Sequence, residues 1–193
     1  MKIALIPCVP TEWRGEGRLL GRVELTPGPE AENCCEQWAA GLAGAGLQQL
    51  FHAPDELSTP TAQLLGRKLV IPTKAAEELA EVDIGLWAGL TDAQLKSRFS
   101  SAHRQLREAP LNVSPPGGES LGHADDRLRA FLKKQVKRNG AGTVGLVMRP
   151  VSLAMTLCLL DGREPSALWE TAKQVADPVV VKYPVNEATP SQA

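Results

Sequence analysis

Aromatic side chains are scarce in this sequence, at 4% of 193 residues. Stacking recognition of nucleic-acid bases needs aromatics interleaved with basic residues, and that platform is missing. An excess of one charge is missing too: 21 Lys and Arg against 22 Asp and Glu leave a formal net charge of -1. Nothing in that balance draws the whole chain to nucleic acid or to an anionic membrane. No apolar run reaches the ~18–20 residues that a membrane-crossing helix requires. The opening apolar stretch is too short for a signal-peptide core and ends at Pro7, so a cytoplasmic protein is expected. Histidine is rare as well: His52, His103 and His123 are the three, each expected to face solvent. The four cysteines, Cys8, Cys34, Cys35 and Cys158, fit no zinc spacing, and an adjacent pair does not build a disulfide framework. No metal and no cofactor are therefore expected. Cys34, Cys35 and Cys158 read as small apolar filler in helices.

What is present suffices for one sizeable core, and 43% hydrophobic residues is a globular composition. We expect one domain over residues 1–183 and a disordered tail over 184–193. Short apolar runs alternate with longer amphipathic stretches, the pattern of a parallel sheet covered by helices on both faces. Strands are predicted at Lys2–Ile6, Leu47–Phe51, Lys68–Pro72, Thr143–Met148 and Val179–Tyr183. Helices are predicted at Glu30–Leu42, Ser58–Arg67 (capped by Ser58 or Thr59), Asp92–Phe99 (capped by Thr91 or Asp92) and Ser120–Arg138. In the last of these, acids come first and bases last, which complements the helix dipole and predicts a solvated face. The proline- and glycine-bearing stretch Ser100–Gly118 reads as a long loop. The fold class that follows is a three-layer α/β/α domain with a mostly parallel central sheet.

Several segments carry a resemblance. Leu5 to Trp13 reads Leu-Ile-Pro-Cys-Val-Pro-Thr-Glu-Trp. Gly17-Arg18-Leu19-Leu20-Gly21-Arg22 runs into Leu25-Thr26-Pro27. Ala53-Pro54 and Thr61-Ala62 bracket a third segment, and Glu81 to Thr91 forms a fourth. Pro115-Pro116-Gly117-Gly118-Glu119-Ser120 is a fifth, and Thr143 to Pro150 a sixth. Together, in this order, they resemble the histidine phosphatase (phosphoglycerate mutase-like) superfamily, whose first signature is Leu-Val-Arg-His-Gly-Glu-Thr-Glu-Trp and whose fifth is Pro-Pro-Gly-Gly-Glu-Ser in full.

The resemblance implies a chemistry that these residues do not match. In that family a histidine, held between two arginines and a second histidine, accepts a phosphoryl group, and a carboxylic acid protonates the leaving oxygen. By the same alignment the nucleophile falls on Cys8 and its arginine on Pro7. The second arginine falls on Leu57, the second histidine on Arg149, and the acid on Glu81, the one position of the five that is kept. Pro7 and Leu57 remove two fixed cations and two bidentate forks. Asp55 and Glu56 add negative charge beside the expected dianion, and Pro10 removes a backbone donor. Loss of the nucleophile and of the electrostatic clamp together predicts loss of phosphoryl transfer. The reading is a catalytically silent relative with a binding, regulatory or structural role.

Two alternatives stay open at this point. Cys8 and Arg14 have the Cys-x5-Arg interval of cysteine-dependent phosphatases, although the loop between them has no glycine and one missing N–H. Arg149, at the end of a central strand, points toward the crevice where open α/β sheets bind ligands. There it pairs with Glu81 across the old site, which we favour, joins Arg14 and Arg22 in a pocket for a small anion, or lies exposed at the surface. Trp13 and Trp87 read as packing or pocket walls, Gly117-Gly118 as a turn, and Ser120, next to Glu119, as the cap of the long helix. In intact relatives the Pro-Pro-Gly-Gly-Glu-Ser loop lies beside the substrate, so Glu119 and Ser120 are candidate ligand contacts. Partners are a protein or a small anionic ligand, with a homodimer through the Val179–Tyr183 edge as a further option. Nucleic acid and membrane are not expected partners.

Overall fold

The computed structural model describes residues 1–139 and 142–183. The tail expected over 184–193 lies outside the described residues. Among the described residues, five strands form one sheet in the order β3-β2-β4-β1-β5. They are β1 (Lys2–Pro7), β2 (Leu47–His52), β3 (Thr73–Ala75), β4 (Thr143–Met148) and β5 (Val179–Lys182). All pairings are parallel except β5 on β1, which is antiparallel and places β5 at one edge. The register sets Pro7 beside Met148 and His52 beside Val147, so β1, β4 and β2 end together.

Side chains alternate across a strand, and β1 uses both faces. Ile3 and Leu5 enter a core with Val144, Leu146, Phe131 and Leu153, while Ala4 and Ile6 enter another with Leu50, Trp38 and Leu65. Burial on both sides is why β1 and β4 read as unbroken apolar runs. The second core is covered by α2 (Ala31–Leu42) and α3 (Ser58–Leu69), the first chiefly by α6 (Leu121–Asn139), α7 (Pro150–Asp161) and α8 (Leu168–Gln174). Two shorter helices, α4 (Asp92–Arg98) and α5 (Ser100–Glu108), pack beside that layer, and a single turn, α1 (Glu12–Gly15), follows β1. The result is the expected three-layer, mostly parallel architecture.

Several local expectations need correction. The run Lys68–Pro72 is not a strand. Leu69 still belongs to α3, and Val70 leaves it in a left-handed conformation (φ 55°), with Ile71 N–H donating back to Gly66 O at 3.0 Å. The edge strand begins only after Pro72. Ser100–Gly118 is not all loop: Phe99, Ala102, His103 and Leu106 recur at helical spacing, and the prolines begin at 110, past the end of α5. Neither α7 nor α8 was anticipated. His52 and His103 are buried, not solvent-facing, because each has a local partner. His52 Nδ1 lies 2.9 Å from Ala53 O, and His103 Nε2 lies 3.1 Å from Asp92 Oδ1. His123 is exposed as expected.

Most basic residues of α6 do face solvent, with Arg129, Lys133, Lys134, Lys137 and Arg138 exposed, but Arg127 turns inward. Thr91 caps α4 through a reciprocal pair with Gln94. Ser120 caps α6, its Oγ accepting from His123 N–H at 3.1 Å. The α3 cap is neither Ser58 nor Thr59: Asp55 Oδ1 accepts from Leu57 and Ser58 N–H at 2.9 and 2.8 Å. No helix among the described residues is long and apolar enough to cross a membrane.

Candidate functional site

Parallel strands end at a crevice, and the residues just beyond β1, β2 and β4 meet there. Behind β1 come Cys8, Val9 and Pro10. Cys8 N–H donates to Met148 O at 2.8 Å, and Val9 N–H to Thr61 Oγ1 at 3.2 Å. Pro10 has no N–H, so residues 8–10 offer no free backbone donor to an anion. Behind β2, Leu57 is fully buried and packs in one apolar cluster with Cys8 and Val9. Burial of a leucine stabilises by roughly 1.5–3 kcal/mol, so this corner is core. Burial pushes the Cys8 thiol up to about 12, helped by the Asp55 charge and only partly opposed by Arg149 and Arg14. At neutral pH it is a thiol, not a thiolate.

Arg149, directly after β4, is the most tightly held charge of the site, with only 1% of its side chain exposed. One terminal nitrogen donates to Gly21 O at 2.7 Å and Val23 O at 3.0 Å, the other to the Glu56 carboxylate. Its Nε lies 3.2 Å from Asp55 Oδ1, an ion-pair contact without hydrogen-bond alignment. Burial alone would lower its pKa, but Asp55 and Glu56 outweigh burial and hold it above the ordinary arginine value. The expected pairing with Glu81 is therefore wrong. Asp55 and Glu56, legible only as negative charges near the site, are the true partners.

Glu81 is committed elsewhere. Its carboxylate accepts from Val82 and Ser152 N–H at 2.8 and 2.7 Å and from Val151 N–H at 2.9 Å. Val151 and Ser152 lie in the first turn of α7, so Glu81 satisfies two of the open donors that every helix N-terminus carries. Burial raises its pKa despite those three bonds.

The remaining predicted residues form two groups. Arg22 donates to Glu81 O at 2.6 Å and pairs with Glu119 at 3.0 Å. Arg127 grips the same carboxylate with two nitrogens at 2.8 and 2.9 Å. Burial would raise Glu119, but Arg127 and Arg22 bring it below the usual carboxylate value. Glu119 thereby fastens the Pro-Pro-Gly-Gly-Glu-Ser loop, which packs so closely on Gly85 (φ 49°) that a Cβ there would stand 2.2 Å from Pro116 O. Ser120 is occupied as the α6 cap. Arg14 and Trp13 sit apart from this group. Arg14 donates to Val175 O, and the half-buried ring of Trp13 packs over Gly89.

A cavity of about 290 Å³ remains between these elements, and five carboxylates (Glu24, Asp55, Glu56, Glu77 and Glu81) line it against two guanidiniums, Arg22 and Arg149. No group of three or more His, Cys, Asp or Glu side chains suited to a metal ion occurs among the described residues. Sequence reasoning missed Thr61, which takes the Val9 N–H, and the carbonyls of Gly21 and Val23. The Asp55-Glu56 pair straight after a strand was the available signal for the Arg149 clasp.

Residues 10–190 match the family model described as histidine phosphatase superfamily (branch 1), a match that opens two residues past Cys8. Phosphoserine phosphatase 1 of Hydrogenobacter thermophilus is 24% identical over 169 residues, 88% of this chain and 80% of that protein. Among solved structures, a mutant phosphoserine phosphatase from Entamoeba histolytica in complex with phosphoserine superposes with TM-score 0.79 at 18% identity, covering 93% of this chain and 89% of the other. A mycobacterial glucosyl-3-phosphoglycerate phosphatase complexed with VO3 gives TM-score 0.78 at 18% identity, with coverage of 94% and 90%. The fold, the order of its motifs and a family match over most of its length place this chain in the histidine phosphatase superfamily.

Proposed function

We propose that this chain is a member of the superfamily that no longer transfers phosphoryl groups and acts instead as a binding module. The observation that carries this reading is that Cys8, Val9 and Leu57 are buried members of one apolar cluster, where the family alignment expects a nucleophile and an arginine. Phosphoryl transfer depends on positioned cations around three phosphate oxygens. Here Arg149, the guanidinium directly after β4, is already neutralised by Asp55 and Glu56. The surplus of carboxylates in the adjoining cavity works against a dianion as well. The relatives named above are phosphatases by name; in this chain the positions that the family resemblance assigns to the nucleophile and its two arginines hold Cys8, Pro7 and Leu57.

Catalysis by Cys8 with Arg14 is the rival reading. It requires a thiolate, and a buried thiol pushed up to about 12, whose own N–H and that of Val9 are already spent, argues against it. Hydrolysis of phosphoserine and p-nitrophenyl phosphate by the purified chain decides between them. We expect rates at background, unchanged by Cys8→Ser. Turnover abolished by Cys8→Ser would establish the rival.

A further inference from the structure

A second cavity, of about 200 Å³, lies on the far side of Glu81, between the segment after α1 and the first turns of α7 and α8. Leu19, Leu20, Pro150, Val151 and Ala172 give it apolar walls, and Trp169 lines it as well. Three cations also line it, and two are already matched. Arg18 pairs with Glu16, and the Lys173 ammonium lies 2.9 Å from Glu170 and 3.8 Å from Asp92. Arg14 differs. Among the described residues no carboxylate lies within ion-pair distance of it, and its one side-chain acceptor is the Val175 carbonyl. A half-buried guanidinium has five N–H donors, so most of this fork is free to face a ligand. Burial also draws the Arg14 pKa below its ordinary value, a cost that a bound anion would offset.

We propose that this cavity binds a small monocarboxylate with an apolar body, its carboxylate on the Arg14 fork and its body against Leu19, Leu20, Val151 and Ala172. The volume falls below the roughly 300–1,000 Å³ of sites for drug-sized ligands, which limits the occupant to the size of a single ring or short branched chain. One unmatched cation suits one negative charge. A phosphomonoester would bring two, against the Glu81 carboxylate in the same wall. This names a ligand class for the binding role argued above. It rests on that reading only in that the ligand is held and not converted.

Calorimetric titration of the full chain with phenylacetate, phenyl phosphate and 2-phenylethanol tests it. Wild type should bind phenylacetate saturably, and at least tenfold more tightly than either of the other two. Arg14→Met should weaken phenylacetate at least tenfold, while Arg14→Lys, which keeps the charge, should stay within about threefold. Ala172→Leu, which fills the cavity without touching Arg14, should also weaken binding tenfold and serves as the deciding variant if Arg14→Met does not fold. The absence of saturable phenylacetate binding to wild type would overturn the proposal. So would equal affinity in Arg14→Met, or tighter binding of phenyl phosphate. Turnover of phosphomonoesters would instead sink the non-catalytic reading and leave these titrations standing.

Discussion

Replacing Arg149 by Met keeps most of the side-chain volume and removes the charge and all its donors. The structure sets the size of the effect. Two backbone carbonyls, Gly21 O and Val23 O, lose donors at 2.7 and 3.0 Å, and Asp55 and Glu56 lose their common cation. Breaking a buried ion pair on one side costs about 3–5 kcal/mol, because the partner charge stays desolvated. The two carboxylates are 19% and 37% exposed, so water reaches them once the guanidinium is gone, and the lower end applies. At about 3 kcal/mol, and roughly 2–4 °C per kcal/mol for a chain of this size, thermal unfolding should fall by about 6–12 °C. A second variant isolates the cause. Adding Asp55→Asn and Glu56→Gln to Arg149→Met removes the stranded charges, and the triple variant should regain more than 1 kcal/mol relative to additivity. Scanning calorimetry and urea denaturation read both quantities. An Arg149→Met variant that melts within 2 °C of wild type, or a triple variant that is simply additive, would refute the clasp.

Two further outcomes follow from the same geometry. Burial pushes the Cys8 thiol up to about 12, so it stays protonated at pH 8. Iodoacetamide followed by peptide mapping should therefore label the partly exposed Cys34 and spare Cys8, and rapid labelling of Cys8 would contradict its burial. Glu119 gives a pH dependence. Its folded pKa is depressed relative to the unfolded chain, so its contribution to stability is fully present above the unfolded carboxylate value and is lost as pH falls through the folded one. Glu119→Gln should accordingly lower stability at pH 7, with the gap to wild type narrowing on acidification below about pH 4.5. A gap that stays constant down to the acid transition would show that Arg22 and Arg127 do not act through this charge.

How much of this was legible in the chain varies by element for physical reasons. The central strands were clear because burial on both faces leaves an unbroken apolar signature, as in β1 and β4. The helix α7 was not, since it is buried on nearly every face and carries no amphipathic period to detect. Its ends were nonetheless written there: Pro150 at the first turn and Gly162 at the left-handed terminal position (φ 64°). Of the site, the positions of Cys8, Leu57, Glu81 and Arg149 at the strand ends could be read from the resemblance. The choice of partner for Arg149 could not, because it depends on which carboxylate is already spent. Glu81 is taken by three N–H groups from residues adjacent to it and 70 positions away. That leaves Asp55 and Glu56, which the turn between β2 and α3 carries to the guanidinium.

The most direct measurement is a crystal structure of the chain soaked with orthovanadate, a mimic of the transferring phosphoryl group. The account predicts that the corner formed by Cys8, Val9 and Leu57 stays closed, with Arg149 still on Asp55 and Glu56. Vanadate bonded to the Cys8 sulfur, with Arg149 or Arg14 turned onto its oxygens, would contradict it.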